Sequence, residues 1–308
     1  MTELRFDQRV AVVTGAGRGL GREYALLLAA RGAAVVVNDV GGSLTGDGSD
    51  TGPAAEVVAE IEAAGGTAIA CTDSVATPEG GAAIINTALE RFGRLDVLIH
   101  NAGNVRRAPL AQMRYDDFEA VLDVHLRGAF HVVRAAFPVM LEAAYGRIVL
   151  TSSIGGLYGN HDVANYGVAK AGIIGLSNVA AIEGAAANVT SNVIVPAAVT
   201  RMAEGIDTSA YPPMGADLVA PAVGWLAHES CSVTGEILAA LAGRIARAAV
   251  VESPGVYRPS WTIESVAEAL DEIRDLSDPV IFPVVPDGHA DHIRYSFAMA
   301  AQAGATHV

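Results

Sequence analysis

Short apolar runs alternate with amphipathic stretches along the first three quarters of the chain. Residues 9–14 and 34–39 are rich in Val and lead into glycine or acidic positions, which predicts two buried parallel strands. Between them, residues 21–31 place apolar side chains on one face and end before Gly32, which predicts a helix and its stop. Strand, glycine turn, helix and strand together form one right-handed βαβ unit.

The same alternation continues towards the C-terminus. It predicts further strands at residues 69–72, 95–100, 147–152 and 191–195, and helices at residues 80–92, 116–142 and 166–183. Such regular alternation predicts an α/β fold with a Rossmann-type doubly wound parallel sheet. The polar, glycine-rich residues 41–53 predict a mobile surface loop after the second strand.

The alternation ends after about Arg244, where prolines punctuate the chain around one amphipathic helix at residues 262–274. We therefore predict a Rossmann domain over residues 1–245. Residues 246–308 form a C-terminal helical extension, and we expect it to pack on that domain or on a partner subunit.

Composition narrows the classes of partner and compartment. A formal net charge of −14 repels nucleic acid, so we expect no nucleic-acid partner. No run approaches the roughly 20 apolar residues of a membrane span, and the N-terminus lacks a signal-peptide pattern, so we expect a cytoplasmic protein without a membrane span. The two cysteines, Cys71 and Cys231, match no metal or redox spacing and predict buried free thiols.

A cluster of acidic residues and histidines near the C-terminus raises the question of a metal. The spacing of Asp287, His289, Asp291 and His292 could supply oxygen and imidazole ligands. A polar loop before the apolar residues 293–303 explains the same residues, so we predict no metal site.

The turn after the first strand carries the first sign of chemistry. Residues 14–21, TGAGRGLG, lie between a strand and a helix, where glycines permit a tight turn and a close approach to a pyrophosphate. The free N–H groups of the helix N-terminus would bind the phosphates. This context predicts a dinucleotide site that includes Gly15, Arg18, Gly19 and Leu20.

An acidic residue ends the second strand. Asp39 could accept hydrogen bonds from the adenosine ribose hydroxyls, and its charge would repel a 2′-phosphate. The sequence therefore predicts NAD as the cofactor in preference to NADP.

A tyrosine and a lysine lie four residues apart just after the fifth strand. On a helix, Tyr166 and Lys170 share a face, and a nearby ammonium would bring the phenol towards a useful pKa. Ser153 precedes Tyr166 by 13 residues, at the sheet edge where open α/β folds bind ligands. The three residues predict acid–base chemistry beside the cofactor.

These motifs together resemble the short-chain dehydrogenase/reductase superfamily over roughly residues 7–240. The resemblance implies that Tyr166 transfers a proton, that Lys170 holds the nicotinamide ribose and lowers the tyrosine pKa, and that Ser153 binds the substrate oxygen. It further implies cofactor contacts from Asp73, Ser74, Asn101, Ala102, Gly103, Tyr166, Lys170, Pro196 and Thr200.

Several shorter stretches resemble one branch of that superfamily. Residues 37–42, 125–128, 145–147, 158–160 and 228–231 are similar to the (R)-3-hydroxyacyl-CoA dehydrogenase unit of peroxisomal multifunctional enzyme type 2 and to bacterial stand-alone relatives. The likeness implies a lipid-like substrate, either a 3-hydroxyacyl-CoA or a 17β-hydroxysteroid or steroid side-chain thioester. It also implies a homodimer or homotetramer. A catalytically silent NAD-binding regulatory protein is the alternative from another class, but it has no need of Ser153, Tyr166 and Lys170 together.

Two departures from the superfamily leave alternatives open. His125 stands where most members have Asn, and it could carry a proton as a catalytic residue or be a core histidine bonded to a backbone carbonyl. Arg107 stands where close relatives tend to have an acid. With Arg106 it could meet a CoA phosphate, or the two could form a solvated basic pair.

Overall fold

The computed structural model describes residues 2–199 and 211–305, and it places an eight-stranded sheet at the centre of the first 248 residues. The strands are β1 (Val10–Thr14), β2 (Ala34–Asn38), β3 (Thr67–Cys71), β4 (Val97–His100), β5 (Gly146–Thr151), β6 (Val189–Ala197), β7 (Ile237–Leu241) and β8 (Arg244–Ala248).

The strand order is β3-β2-β1-β4-β5-β6-β7-β8, and β1 to β7 pair in parallel. The chain moves outward in one direction from β1 to β3 and in the other direction from β4 onward. The topology therefore switches between β1 and β4, where doubly wound folds bind their ligands. This confirms the predicted Rossmann-type doubly wound sheet.

Helices cover both faces of the sheet, which is why its central strands are mostly apolar. The helices are α1 (Gly19–Ala30), α2 (Gly52–Ala63), α3 (Pro78–Phe92), α4 (Tyr115–Leu122), α5 (Gly128–Glu142), α6 (Ile154–Tyr158), α7 (Ala164–Gly184) and α8 (Ala220–Ala227), followed by α9 (Ile263–Glu268), α10 (Leu270–Ile273) and α11 (Gly288–Ala305). Side chains of α1, α2 and α8 form one apolar core, and those of α3, α5 and α7 form the other.

The region predicted as one helix over residues 116–142 is divided. Helices α4 and α5 flank a π-helical turn at Asp123–Arg127, which carries His125. A π-turn inserts an extra residue without changing the apolar pattern on either side, so the pattern predicted a continuous helix. Such turns are frequent at functional sites.

The loop at residues 41–53 differs from its prediction at its end and in its contacts. Helix α2 begins at Gly52, and Pro53 occupies its first turn, where the missing N–H of proline costs nothing. The loop is held by backbone bonds from Asp50 N–H to Val40 O at 2.9 Å and from Val105 N–H to Leu44 O at 3.1 Å. It is therefore an exposed but anchored segment.

Three elements at the end of the sheet were not predicted: α8, β7 and β8. A two-residue turn, Ala242 and Gly243, both with positive φ, returns the chain from β7 into β8. The short, basic sequence of β8 suits an edge strand and lacks a continuous apolar run, which is why the apolar pattern gave no sign of it.

The chain divides into two compact units, residues 1–247 and residues 248–308. The second unit contains α9 and α10, which Ala269 separates within the predicted helix at residues 262–274, and α11. Helix α11 begins at Gly288, within the stretch predicted as a polar loop. Arg294 pairs with Asp287 and Asp291 there. How the extension packs on the domain or on a partner subunit stays a prediction.

One helical stretch of the described chain, Ala164–Ala187, is long and apolar enough to cross a membrane by those two criteria. It contains α7, whose buried side chains include Ile173 and Ala181, and it packs against β5 and β6. We therefore assign the stretch to the core of the fold.

Candidate active site

The carboxyl ends of the parallel strands bring the predicted site residues to one edge of the sheet. Gly15, Asp39, Asp73, Asn101 and Ser153 follow β1, β2, β3, β4 and β5 respectively. Pro196 lies at the corresponding end of β6, and Tyr166 and Lys170 lie on α7 beyond that edge. Thr200 lies outside the described residues.

The glycine turn is shaped by close approach of the backbone. Gly15 has a φ of +63°, and a Cβ there would lie 2.7 Å from the Cα of Ala102. Asn101 closes the same contact by donating from Nδ2 to the carbonyl oxygen of Gly15 at 3.1 Å. A side chain at position 15 would push β1 and β4 apart at the switch point, so only glycine fits.

Helix α1 begins with free backbone donors. Arg18 caps it without a side-chain hydrogen bond, and its first turn, with Gly19 and Leu20, holds no acidic residue. The first N–H groups of a helix have no partner within it and carry partial positive charge. The tight glycine turn and these donors fit the pyrophosphate of a dinucleotide.

The carboxylate of Asp39 ties together two parts of the cofactor edge. Its Oδ2 accepts from the N–H of Gly17 at 2.8 Å, and its Oδ1 accepts from the N–H of Gly41 at 2.7 Å. The carboxylate is half-buried and so also faces the space beyond the turn. Its charge therefore lies where the adenosine ribose of a bound dinucleotide would sit.

The segment after β3 is fixed beside Asp39. Asn38 donates from Nδ2 to the carbonyl oxygen of Asp73 at 2.9 Å, and Ser74 accepts the N–H of Ala76 at 3.2 Å. The thiol of Cys71 donates to the Asp73 carboxylate at 3.4 Å. These bonds place Asp73 and Ser74 at the same edge as Asp39.

Lys170 is buried beneath this edge. Its Nζ donates to the carbonyl oxygen of Thr151 at 2.6 Å, and its exposed fraction is 2 %. Burial lowers the pKa of Lys170 to about 7, because the ammonium loses its hydration. A close contact between α6 and α7, where a Cβ at Gly156 would lie 2.8 Å from Lys170, holds the lysine in place.

Tyr166 and Ser153 meet above the lysine. The ammonium of Lys170 lies 5.6 Å from the centre of the Tyr166 ring, and hydrogen bonding from Ser153 lowers the pKa of the phenol. Ser153 caps α6, and its Oγ accepts the N–H of Gly155 at 3.1 Å. The structure thus brings the three predicted acid–base residues together.

The pKa of Tyr166 differs from the prediction. Burial raises the pKa of the phenol above its ordinary value, although the Ser153 hydrogen bond and the charge of Arg107 lower it. Burial disfavours both charged forms, so it lowers the pKa of Lys170 and raises that of Tyr166.

His125 is enclosed beside Tyr166. Its Nε2 lies 2.8 Å from the carbonyl oxygen and 3.1 Å from the backbone nitrogen of Asn104, and its ring meets the Tyr166 ring edge-on at 5.2 Å. A Cβ at Gly103 would lie 2.3 Å from the imidazole. Burial and the charge of Lys170 hold the pKa of His125 well below its ordinary value. This geometry favours the core histidine of the two alternatives.

A polar chain missed by the sequence analysis links the cofactor turn to His125. The hydroxyl of Thr14 accepts the N–H groups of Asn101 and Ala102, each at 3.1 Å, and lies 3.0 Å from Nδ1 of His100. Nε2 of His100 lies 3.2 Å from the carbonyl oxygen of His125. That oxygen can only accept, so His100 carries its proton on Nε2 and Thr14 donates to Nδ1. A polar residue at the end of buried β4 was the available signal.

Asn165, also missed, positions the start of α7. It is fully buried, and its Nδ2 donates at 3.0 Å to the carbonyl oxygens of both Arg106 and Asp117. Its Oδ1 accepts the N–H of Tyr166 at 2.8 Å. The segment around residue 106 is therefore joined directly to the residue before the tyrosine. The sign of it in the sequence was an asparagine directly before Tyr166.

Comparison with known proteins agrees with this geometry. The family model described as short chain dehydrogenase matches residues 9–209. The chain is 49% identical over 281 residues to peroxisomal multifunctional enzyme type 2 of Drosophila melanogaster, covering 89% of this chain and 46% of that protein. It is 45% identical over 277 residues to the Mycobacterium tuberculosis protein Rv0148, named as a short-chain type dehydrogenase/reductase, covering 88% of this chain and 96% of that protein.

Solved structures show the same architecture. A short chain dehydrogenase from Mycobacterium avium superimposes with a TM-score of 0.76 at 39% identity, over 87% of this chain and 95% of that one. A 7α-hydroxysteroid dehydrogenase complexed with NADH and 7-oxo glycochenodeoxycholic acid gives a TM-score of 0.71 at 28% identity, over 79% of this chain and 98% of that one. The resemblance inferred from the motifs is confirmed.

Proposed function

We propose that this oxidoreductase, which belongs to the short-chain dehydrogenase family, uses NAD to interconvert a 3-hydroxyacyl-CoA and the corresponding ketone. The observation that carries the proposal is the convergence of Ser153, Tyr166 and Lys170 at the carboxyl edge of the sheet, opposite the glycine turn. A hydroxyl donor, a phenol and an ammonium in one pocket are the groups that this redox chemistry requires.

The choice of NAD rests on Asp39. Its carboxylate lies at the end of β2, held by the N–H groups of Gly17 and Gly41. A 2′-phosphate at that position would meet a like charge at short range, whereas ribose hydroxyls would donate to it. The nicotinamide ring of the bound cofactor supplies a hydride acceptor in one direction and a hydride donor in the other.

The protein's own residues handle the proton. In alcohol oxidation, Ser153 donates to the substrate oxygen and holds it against Tyr166, whose phenolate accepts the hydroxyl proton as the hydride leaves the carbon. Lys170 stabilises the phenolate while it carries its charge, so its pKa of about 7 limits that support as the pH rises through neutrality. His125 and Asn165 keep the ring and backbone of Tyr166 in position.

The acyl-CoA substrate is supported by relatives. The chain is 44% identical over 284 residues to the peroxisomal hydratase-dehydrogenase-epimerase of Saccharomyces cerevisiae, covering 89% of this chain and 31% of that protein. This chain corresponds to only part of each such protein, and 3-hydroxyacyl-CoA oxidation is the step that a dehydrogenase portion would carry out. A hydroxysteroid is the second candidate, supported by the similarity to the 7α-hydroxysteroid dehydrogenase.

The test is NADH production from a panel of alcohols at matched concentrations. We expect turnover of a (3R)-3-hydroxyacyl-CoA with NAD, and slower turnover with NADP. Turnover of steroid alcohols alone would favour the second candidate. Failure of every alcohol to reduce NAD, with NAD binding intact, would contradict the redox proposal and favour the regulatory alternative.

We also propose that the protein is a homo-oligomer, either a homodimer or a homotetramer. Helices α5 and α7 leave apolar side chains in solvent: the exposed fractions are 50% for Phe130, 51% for Val179 and 45% for Ile182. A second subunit would remove such surfaces from water. Light scattering at several protein concentrations measures the mass, and a monomer at all of them would contradict this proposal.

A further inference from the structure

Two adjacent arginines border the candidate site, and their surroundings differ. Arg106 is three-quarters buried, and each of its three guanidinium nitrogens has a partner. Nε donates to the Thr45 carbonyl oxygen at 3.0 Å, and the other two nitrogens donate to the carboxylates of Asp47 at 3.1 Å and Asp117 at 3.0 Å. These partners neutralise its charge. Arg106 therefore fastens the loop after β2 to α4, and its charge is already compensated by two carboxylates.

Arg107 has the opposite surroundings. It is exposed, and within the described part of the chain its guanidinium makes neither an ion pair nor a side-chain hydrogen bond. An arginine left without an acid partner beside a ligand-binding edge retains its full charge for a ligand.

The backbone of Arg107 is fixed on both sides. Asn165 donates to the carbonyl oxygen of Arg106 at 3.0 Å, and the N–H of Ala108 donates to the carbonyl oxygen of Asp162 at 2.9 Å. Ala108 also forms a parallel bridge with Val163. Arg107 is thus held between two attachments to the segment that leads into Tyr166. Its charge reaches the reacting phenol, whose pKa it lowers.

The negative charge of the rest of the protein makes Arg107 a selective position for an anion. The chain carries a formal net charge of −14, which disfavours the approach of anions to its surface in general. Asp162, whose backbone oxygen accepts the N–H of Ala108, is exposed and makes no ion pair with Arg107. An anionic substrate would therefore gain at Arg107 an attraction that offsets this general repulsion.

We propose that Arg107 is a specificity-determining residue that binds anionic oxygens of the substrate on the open side of Tyr166. The oxygens belong to a phosphate of the CoA carrier or to a carboxylate on the substrate itself. The planar guanidinium suits either group, because it can donate two parallel hydrogen bonds. The inference rests on the proposed function, since it names what else the same site recognises.

The experiment compares Arg107→Gln and Arg107→Lys with the wild type on two substrate pairs. In the first pair, 3-hydroxybutyryl-CoA is matched with the N-acetylcysteamine thioester of the same acid, which lacks phosphate. In the second, a 3-hydroxy acid is matched with its methyl ester. Arg91→Gln on α3, where Arg91 lies over Phe92, removes the same charge away from the site and is the control.

We expect Arg107→Gln to raise KM about tenfold for the anionic member of one pair and to change the neutral member less than about twofold. Arg107→Lys should recover most of the loss, and added salt should raise KM in the wild type but not in Arg107→Gln. If the bound oxygens belong to a CoA phosphate, the change in KM appears in the first pair. If they belong to a carboxylate of the substrate, it appears in the second pair.

Equal effects of Arg107→Gln on both members of both pairs would overturn the inference, and so would an equal effect of Arg91→Gln. The failure of the proposed function would show differently, because the wild type would then turn over neither member of either pair. Turnover of the neutral members by the wild type establishes the redox activity without any contribution from Arg107.

Discussion

Polar clusters lie at both ends of the parallel strands, and they differ in how completely their hydrogen-bonding groups are paired. The amino edge is the side of the sheet where these strands begin, and the carboxyl edge is the side where they end. At the amino edge, the carboxylate of Asp96 is buried, and it accepts from Arg9 at 3.0 Å, from Arg94 at 2.7 Å and from the N–H of Val10 at 2.9 Å. Arg147, also buried, donates to four backbone carbonyl oxygens and lies 4.4 Å from the Tyr145 ring. The donors and acceptors of this cluster are matched.

The carboxyl edge leaves buried groups without full partners. Lys170 makes one hydrogen bond, to Thr151, and within the described chain Nδ1 of His125 and Oδ1 of Asn104 make none. The pKa values of Lys170 and Tyr166 are moved from their ordinary values by burial. Matched buried polar groups hold a fold together, whereas unmatched ones are retained where chemistry needs them. The comparison predicts that variants at the two edges will separate stability from turnover.

The largest effect should come from Tyr166→Phe at the carboxyl edge. Loss of the phenol oxygen removes the proton acceptor, and we expect kcat to fall about 1,000-fold. Fluorescence titration should show NAD binding within about twofold of the wild type, since the ring and its packing against His125 remain. The midpoint of urea unfolding should stay unchanged. Retention of more than a tenth of kcat would remove Tyr166 from the proton transfer.

Asp96→Asn at the amino edge should show the converse. The amide cannot neutralise Arg9 and Arg94, whose side chains are partly exposed at 23% and 49%, so we expect a loss of about 2 kcal/mol in the free energy of unfolding. Urea denaturation of the two proteins measures the difference. The kinetic constants should not change at a temperature where both are folded. A fall in kcat without a loss of stability would contradict the prediction that the amino edge serves stability and the carboxyl edge serves turnover.

Lys170→Met tests a residue that contributes to both properties. Burial of Lys170 lowers its pKa in the folded protein to about 7, against 10.5 for the free side chain. Between these values the unfolded chain binds more protons, so the wild type gains stability relative to the variant as the pH rises from 7 towards 10.5.

We expect that gain to be about 2 kcal/mol between pH 7 and pH 9, and close to zero between pH 5.5 and pH 6.5. Urea unfolding of both proteins without cofactor measures it, and titrations that the two proteins share cancel in the difference. Turnover of the variant should be strongly reduced at every pH. A difference in stability that does not change with pH would show that Lys170 is charged throughout in the folded protein.

The sequence was most informative where one local pattern determined one element. Buried strands such as β1 and β2 were predicted from Val-rich runs. Asp39 and Tyr166 were predicted from motifs that have a fixed position relative to the strands. Helix α2 was not predicted, although its buried Ala54, Val57 and Ile61 recur at helical spacing. The π-helical turn around His125 was missed because it leaves the apolar periodicity on both sides intact.

The remaining features depend on contacts between distant parts of the chain. Arg106 and Arg107 look alike in the sequence, yet the loop after β2 supplies acid partners only to the first. The upward shift in the pKa of Tyr166 arises from the burial of the whole pocket, not from its spacing to Lys170. A buried polar side chain is accommodated at His100 because, after folding, Thr14 and the carbonyl oxygen of His125 lie within hydrogen-bonding distance of its two ring nitrogens.

The smallest of the expected effects concerns Asp39. It lies at the carboxyl edge, but its hydrogen bonds are satisfied like those of the amino-edge cluster. Its two oxygens accept the N–H groups of Gly17 and Gly41, so Asp39→Ala removes both a charge and two hydrogen bonds. Asp39→Asn keeps one acceptor oxygen and removes the charge alone. We expect both variants to raise the KM for NAD and to narrow the preference for NAD over NADP about tenfold.

Asp50→Asn is the matched control, because it removes an equal charge from the same loop, where its carboxylate accepts the N–H of Gly52 at 2.9 Å. Initial rates with NAD and NADP at saturating alcohol measure the ratio of kcat/KM values. If the ratio narrows equally in Asp39→Asn and Asp39→Ala, charge repulsion accounts for the preference. If it narrows only in Asp39→Ala, the carboxylate acts by shaping the glycine turn. An unchanged ratio in both would show that Asp39 serves the fold as Asp96 does, and the preference for NAD would have to arise elsewhere at this edge.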